Sequence, residues 1–447
     1  MIYTILDYRF DSERFIIYKS NIDRNIIEKT FPNDNKDDTV LQELMKQNPD
    51  EMCMDKIAIN NAGICLTYNC NLRCKYCGYS STNDDKNKLD LNDVEIFLAD
   101  IIKKRTIKKL ITKKNEPLIL YFTGGGEPTY EWNLLKNVVT FIKQQCKDKK
   151  IPLTLGMTTN GMLSNDQIKF ISENFDHVMI SYDGLPEIQN LNRTSPNLKA
   201  TSSIVENSIS EMAKYHVAVN IRTTIWQSDY SKLKEMYHHV FSLVPPDSKI
   251  TWSIYPALFE GRAVEHIVKQ EDMTYKNFLT YYIELVEHIL SEEDAEKIKQ
   301  IDVPLFNNNI CELFCGAHRK NHPWLLPDKS IVTCIESKED KVVIGKIKNG
   351  KVEYFQKYTD NLLRITQERF SKCKNCIAYR ICKGGCPIWH LRINENMSEP
   401  LECHLQKEYM IYVLNAVLLK KYSFGWRLEK ICLPDIKDHE IFKLVKE

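Results

Sequence analysis

The sequence predicts an α/β fold: a partial (β/α)6 barrel with a small N-terminal α+β extension and a cysteine-rich C-terminal domain. Three observations predict it. Six apolar, β-prone runs alternate with helical patterns across residues 61–263. Residues 1–60 carry β-prone runs of their own, and cysteines crowd together after residue 310. Strands alternating with helices imply a parallel sheet with right-handed crossovers, closed or partly closed.

The six runs are ICLTY (64–68), LILYFT (118–123), LTLGMTT (153–159), HVMISYD (177–183), VAVNIRTT (217–224) and ITWSIY (250–255). Helical patterns fall between them at about 91–105, 131–146, 165–174, 200–214 and 229–243. In such barrels the chemistry gathers at the C-terminal strand ends. Upstream, YTILDYRF and RFIIYKS read as strands, followed by a polar break at 33–38 and a short helical pattern at 40–47. Residues 264–310 read as a helical, acidic linker. Residues 311–447 read as short strands and turns, closed by a helix over about 406–421.

Composition narrows the functional class. The chain has 447 residues, 43% of them hydrophobic and 27% charged, which is ordinary globular usage. A net charge of +1 gives no field that would draw it onto nucleic acid or an anionic membrane. No stretch reaches the roughly 18 apolar residues of a membrane span. The first residues carry acidic groups and no apolar core of signal-peptide length. The expectation is a cytoplasmic protein with no nucleic-acid or membrane partner. Fifteen cysteines in such a chain point to metal or redox chemistry, because the cytosol keeps thiols reduced.

Their spacing is the strongest signal. Cys70, Cys74 and Cys77 form C-x3-C-x2-C directly after the first strand-like run. At this cysteine frequency such a triplet arises by chance about 0.02 times per chain. Three thiolates can hold three irons of a 4Fe–4S cluster and leave the fourth open; three ligands of a zinc site are the alternative. A second group, Cys373, Cys376, Cys382 and Cys386, reads C-x2-C-x5-C-x3-C, with Cys311, Cys315 and Cys334 upstream and Cys403 downstream. These eight thiols are enough for two four-ligand sites. Spacing alone leaves iron–sulfur and zinc open there, and the triplet in the same chain favours iron.

Further motifs fall at successive strand ends. TGGGEP (123–128) follows the second run, Thr159-Asn160-Gly161 ends the third, and SYDG (181–184) ends the fourth, with Arg193 nine residues beyond that motif. EGRA (260–263) follows the sixth. Glycines at a strand end let backbone approach a small ligand closely. Glu127 reads either as an anionic partner for an ammonium or as a solvated loop carboxylate. Asp183 reads as an acceptor for ribose hydroxyls or as a turn residue. Arg222 is a carboxylate clamp if it points into the barrel.

Together these motifs resemble the radical S-adenosylmethionine (SAM) superfamily, and its SPASM subgroup in particular, over about residues 63–406. The resemblance rests on the cysteine triplet with an aromatic, Tyr76, before its last member. It rests equally on GGEP-like TGGGEP, the S-x-D-G…R element and the C-terminal cysteines. It implies SAM held by Tyr76, Gly125, Gly126, Glu127, Asn160, Ser181, Asp183, Arg193 and Arg222. It also implies three 4Fe–4S clusters. One would sit on Cys70, Cys74 and Cys77, with no catalytic residue assigned beyond it. The first auxiliary cluster would sit on Cys311, Cys315, Cys334 and Cys386, and the second on Cys373, Cys376, Cys382 and Cys403. Two features depart from the family pattern: Lys329 stands where a glycine is usual five residues before Cys334, and Cys311 and Cys315 are unusually close.

The implied chemistry is reductive cleavage of SAM to a 5′-deoxyadenosyl radical that abstracts hydrogen from a substrate. For the SPASM subgroup the implied substrate is a ribosomally made precursor peptide receiving a thioether or carbon–carbon crosslink. The electron donor would be of flavodoxin or ferredoxin type. A sulfatase-type formylglycine-forming maturase and a quinone-cofactor maturase share these motifs. The extension at 1–60 resembles, in placement, precursor-binding domains. A non-catalytic zinc-cysteine binding module leaves TGGGEP, TNG and SYDG unexplained. The basic run at 103–114 reads as a solvated helix face, His238-His239 as surface or core packing, and Cys65 as core. Cys53, Cys146 and Cys432 fit neither cluster pattern.

Overall fold

In the computed structural model the described residues are strands 3–10, 13–20 and 26–31, and then 61–112, 115–248, 250–257, 262, 275–291, 297, 300–302, 322–335, 342–355 and 386. Outside them lie the helical patterns at 40–47 and 406–421, Glu260, and Cys311, Cys315, Cys373, Cys376, Cys382 and Cys403. Tyr3–Phe10 (β1), Glu13–Ser20 (β2) and Ile26–Phe31 (β3) form an antiparallel sheet in the order β1-β2-β3. Two of these strands match the β-prone runs; β3, six residues with one Glu and one Lys between its apolar ends, carries too short an alternation to read from sequence.

The barrel strands are Asn61–Ile64 (β4), Leu118–Phe122 (β5), Leu153–Thr159 (β6), His177–Ser181 (β7), Ala218–Ile225 (β8) and Ile250–Pro256 (β9). All five neighbouring pairs are parallel and run in chain order. Intervening helices are Leu91–Thr112 (α1), Trp132–Asp148 (α2), Asn165–Asn174 (α3), Pro186–Asn192 (α4), Ser202–Met212 (α5) and Leu233–Ser242 (α6), and Tyr275–Ser291 (α7) follows β9. This is the expected α/β barrel architecture.

Alternation along the strands shows which side faces the helices. β5 and β8 bury every second residue. Leu118, Leu120 and Phe122 join Val219, Ile221 and Ile225 in one apolar cluster with Phe97, Ile101, Val138 and Ile142 from the helices. The other face of β8 carries Asn220, Arg222 and Thr224, all half-buried. A parallel sheet covered on both faces reads as continuous hydrophobic runs. On β8 one face is apolar and the other is left polar, as a ligand-holding interior needs.

The barrel does not close on itself. Ile301–Asp302 (β10) pairs with β9, and Trp324–Leu325 (β11) pairs in parallel with β4. Ser330–Val332 (β12), Val343–Lys348 (β13) and Lys351–Tyr354 (β14) continue as an antiparallel meander, giving one sheet of eleven strands. Gly63 sits opposite Trp324, and a Cβ there would meet the indole at 1.8 Å. The glycine is what lets the C-terminal strands lie flat on β4.

Three local departures from the sequence reading have physical reasons. The first barrel strand ends at Ile64, whereas the apolar run begins there. Residues 65–67 remain buried past the last strand residue: Cys65 still donates its amide to Leu325 O at 2.9 Å and packs toward Trp324, while Leu66 packs toward the helix layer. α4 is a seven-residue helix started by Pro186, too short to show a period. The basic run at 103–114 is not wholly solvated: Lys104 pairs with Asp100 at 3.0 Å and lies over the Tyr354 ring, and Arg105 is buried. His239 packs inward, its Nε2 at 3.1 Å from the Tyr182 hydroxyl and 3.2 Å from Glu206. No described helix is long and apolar enough to cross a membrane.

Candidate active site

The loop after β4 carries Cys70, Cys74 and Cys77, all half-buried. Its backbone is tied down on several sides. Arg73 and Lys75 donate their amides to Thr194 O (2.7 Å) and Asn192 O (2.9 Å), and Cys70 donates to Thr82 O (2.7 Å). Cys77 N and Ser80 N close successive turns onto Cys74 O and Cys77 O. Burial, then the neighbouring Cys74 thiol and the Glu127 carboxylate, push the Cys70 thiol up to about 12. Burial pushes Cys74 up to about 11 against the pull of Arg193. Buried soft donors of this kind release their protons to a bound cation, so the donor set fits a metal group. Among the described residues no three such side chains converge as on a single ion. Thiolates on separate corners of a 4Fe–4S cube have no need to.

The glycine turn after β5 lies directly against this loop. Gly126 N donates to Thr67 O at 3.0 Å and Glu127 N to Asn69 O at 2.8 Å. Gly124 and Gly125 have φ of +80° and +68°, and a Cβ on Gly126 would stand 2.0 Å from Asn69 O. The turn exists because no side chain occupies it. The close approach is to the chain's own loop, at Asn69 O for Gly126 and at Cys65 and Tyr68 for Gly125.

Glu127 is buried, which removes the solvated-loop reading. Its carboxylate accepts from Thr129 N (3.1 Å), Thr129 Oγ1 (2.8 Å), Thr159 Oγ1 (2.9 Å) and Asn160 N (2.7 Å). Burial raises its pKa and these donors oppose the rise. Glu127 therefore locks the ends of β5 and β6 together. Glu127→Gln turns one acceptor into a donor facing a donor, at a cost of about 1–3 kcal/mol. The expected result is an apparent Tm several degrees lower by calorimetry of apo-protein; an unchanged Tm would show the lock to be slack. Asn160 reaches on from Glu127 to the cysteine loop, its Nδ2 lying 2.6 Å from Asn71 Oδ1 and 3.7 Å from Cys70 Sγ.

A second buried network stands at the end of β7. Asp183 Oδ1 accepts from Arg193 Nε at 2.9 Å and from Thr224 N at 3.3 Å, while Oδ2 accepts from the Tyr76 hydroxyl. Arg193 also lies 5.0 Å from the Tyr76 ring centroid, and Trp226 tilts against that ring at 5.8 Å. Burial raises the Asp183 pKa, with Arg193 the leading opposing influence. The Asp183 carboxylate thus holds Arg193 and Tyr76 rather than standing open. Ser181, buried, pairs across β7 and β8 with Arg222. Arg222 shares the polar face with Asn220 and Thr224, and its guanidinium stacks 4.2 Å from the Tyr255 ring centroid. It points inward.

Sequence reasoning missed three contributors. Thr129 and Thr224 act through backbone or hydroxyl contacts that no motif marks. Arg262, within EGRA, donates Nη1 to Cys74 O and Nη2 to Ser81 O, each at 2.8 Å, and its amide to Cys77 O at 3.0 Å. At the C-terminal side, Cys334 and Cys386 pack against one apolar cluster built on Cys65, Trp324 and Ile335. Lys329 has a φ of +67°, so it adopts the left-handed conformation that a glycine takes freely, and its Nζ pairs with Asp93 at 2.8 Å. The substitution of lysine for glycine therefore leaves the turn before Cys334 intact.

Comparisons with known proteins agree with this architecture. A cysteine-type anaerobic sulfatase-maturating enzyme of Clostridium perfringens is 24% identical over 330 residues, covering 71% of this chain and 85% of that protein. A GTP 3′,8-cyclase of the same species is 33% identical over 172 residues, covering 38% and 47% respectively. Among solved structures, native anSMEcpe with bound AdoMet and Cp18Cys peptide aligns with a TM-score of 0.60 at 20% identity, covering 80% of this chain and 98% of that one. Streptococcus suis SuiB bound to precursor peptide SuiA aligns with a TM-score of 0.56 at 12% identity, covering 89% and 99%. Residues 64–229 match the family described as the Radical SAM superfamily, which implies SAM and a 4Fe–4S cluster. From β4 through β8, with the cysteine loop and the glycine turn inside the match, this chain carries a radical SAM domain.

Proposed function

We propose that this enzyme modifies a ribosomally made peptide, forming a thioether or carbon–carbon crosslink. Cys70, Cys74 and Cys77 would hold the first cluster, and the turn at Gly125–Gly126 would receive the methionyl end of SAM. When bound, the cluster would supply the electron that cleaves SAM to methionine and a 5′-deoxyadenosyl radical. The residues do the placing. Glu127 and Asn160 fix the glycine turn against the loop; Asp183 fixes Arg193 and Tyr76 beside it; Ser181 and Arg222 line the neighbouring strand ends. The observation that carries the reading is this convergence of three strand-end elements on one cysteine loop.

Two supports favour a peptide substrate. SuiB, similar in fold, is described with a precursor peptide, and anSMEcpe with a Cp18Cys peptide. The three-stranded sheet ahead of the barrel has strand edges at β1 and β3 to which an extended leader can add by backbone hydrogen bonds. Removing residues 1–58 should weaken leader binding at least about tenfold, or about 1.4 kcal/mol. Uncoupled SAM cleavage should survive. Calorimetry with the leader decides it, since equal affinities in a folded truncation would leave recognition elsewhere. The likeness to sulfatase maturases favours a second reading, oxidation of a Cys or Ser to formylglycine. Mass analysis separates the two: a crosslink leaves the residue's sulfur in place, whereas formylglycine from Cys loses it.

We extend the ligand assignment to Cys311, Cys315, Cys334 and Cys386 for one auxiliary cluster and to Cys373, Cys376, Cys382 and Cys403 for the other. Anaerobically reconstituted protein should then contain about 12 iron and 12 sulfide per chain. About 4 iron with 2 zinc would assign the C-terminal sites to zinc and leave the first cluster standing.

A further inference from the structure

The six barrel strands leave an open seam, because β4 and β9 each pair with a different C-terminal strand and not with each other. One described side chain bridges the loops on either side of that seam. Arg262 follows β9, and its side chain and amide donate three hydrogen bonds to the loop that follows β4. Nη1 reaches Cys74 O and Nη2 reaches Ser81 O, each at 2.8 Å, and its amide reaches Cys77 O at 3.0 Å. The three acceptors are carbonyls, spread over eight residues that include two of the three clustered cysteines.

We propose that Arg262 is a positioning residue that staples the cysteine loop across the open seam and holds it in the shape that receives the cluster. The role rests on the assignment of Cys70, Cys74 and Cys77 as ligands, but the staple itself does not. The opposite side of the loop is already fixed by Arg73 N and Lys75 N on Thr194 O and Asn192 O. Those bonds hold the stretch before Cys77. The turn from Cys77 to Ser81 is held by its own short bonds, by Ser81 Oγ on Gly125 O, and by Arg262. A planar guanidinium satisfies two divergent carbonyls at once, which a lysine ammonium on a flexible stem does less well. The same guanidinium would bring a fixed positive charge close to a cluster held by this loop, and a nearby cation would favour the more reduced form.

The test uses Arg262→Gln and Arg262→Lys in the full chain. In apo-protein, amide exchange at Cys77 and Ser80 should accelerate about tenfold in Arg262→Gln while the overall Tm stays near that of the parent. In reconstituted protein, the cluster whose spectrum responds to SAM should lose iron to a chelator at least about fivefold faster. Its reduction potential should move to a more negative value in Arg262→Gln and stay near the parental value in Arg262→Lys, which keeps the charge. Arg262→Lys should still lose iron faster than the parent, because the fork is gone. Unchanged exchange in Arg262→Gln overturns the staple. Equal potentials for the Gln variant and the parent overturn the role toward the cluster. If Arg262→Gln does not fold, the Lys variant carries the test through exchange and iron retention, with parental values overturning the proposal. Parental protein that forms no SAM-responsive cluster refutes the ligand assignment instead, and the exchange result still decides the staple.

Discussion

Cys74→Ala is expected to lower formation of 5′-deoxyadenosine from SAM by more than about a thousandfold, a loss of over 4 kcal/mol of transition-state stabilisation. Cys74 stands at the centre of the loop. Its carbonyl accepts from both Cys77 N and Arg262, and its thiol lies near enough to Arg193 and Arg262 for both to favour the thiolate. The methyl of alanine preserves the backbone bonds and removes only the thiol, so the loop should keep its shape while losing one of its three proposed ligands. If the C-terminal cysteines hold the two proposed auxiliary clusters, those should remain, visible as iron retained in the variant. Turnover equal to the parent would show that the triplet is not where SAM is cleaved.

Arg193→Met is expected to destabilise the fold by about 3–5 kcal/mol at neutral pH, because it leaves the buried Asp183 carboxylate without its cation. The deficit should shrink on acidification. Burial already raises the Asp183 pKa, and Arg193 is the first group holding it down. Without Arg193 the folded-state pKa lies further above the unfolded value of about 3.9. The folded variant then binds a proton that the unfolded chain does not, so its stability rises as pH falls through the folded pKa and is lost as pH climbs. Thermal unfolding of apo-protein near pH 7.5 and pH 5.5 tests this. A gap from the parent that is equal at both pH values would mean that Asp183 is not left charged.

The cysteine loop and glycine turn were legible in the sequence because both are local: ligand spacing and residues without side chains report constraints within a few positions. Glu127 was legible as a functional carboxylate but not as a buried one. Its four donors come from Thr129, Thr159 and Asn160, and two of those residues lie over thirty positions away. Asp183 and Arg193 were visible as a motif, yet each was read toward SAM. The structure turns them toward each other and toward Tyr76. The run ICLTY misled by a different route. Hydrophobicity reports burial rather than ladder hydrogen bonds, and Cys65 and Leu66 stay buried after the strand has ended. Arg262 sits in a noticed motif, but a bond spanning 181 residues to Ser81 leaves no trace in local pattern.

The pairing of Trp324 with Gly63 also fixes an order of events during synthesis. The nascent chain completes β4 about 260 residues before β11 leaves the ribosome, a long-range pairing of the kind that slows folding. Until then one edge of the parallel sheet offers unpaired amides and carbonyls, and Gly63 gives that edge a flat backbone with no side chain to guard it. A chain halted before residue 324 would present this edge to other nascent chains, a route to strand-to-strand aggregation. Expression trials of the isolated barrel inherit the same hazard. A fragment that stops at residue 263 should be less soluble than one carried through β14 at 354, even though the cysteine loop and the glycine turn are complete in both.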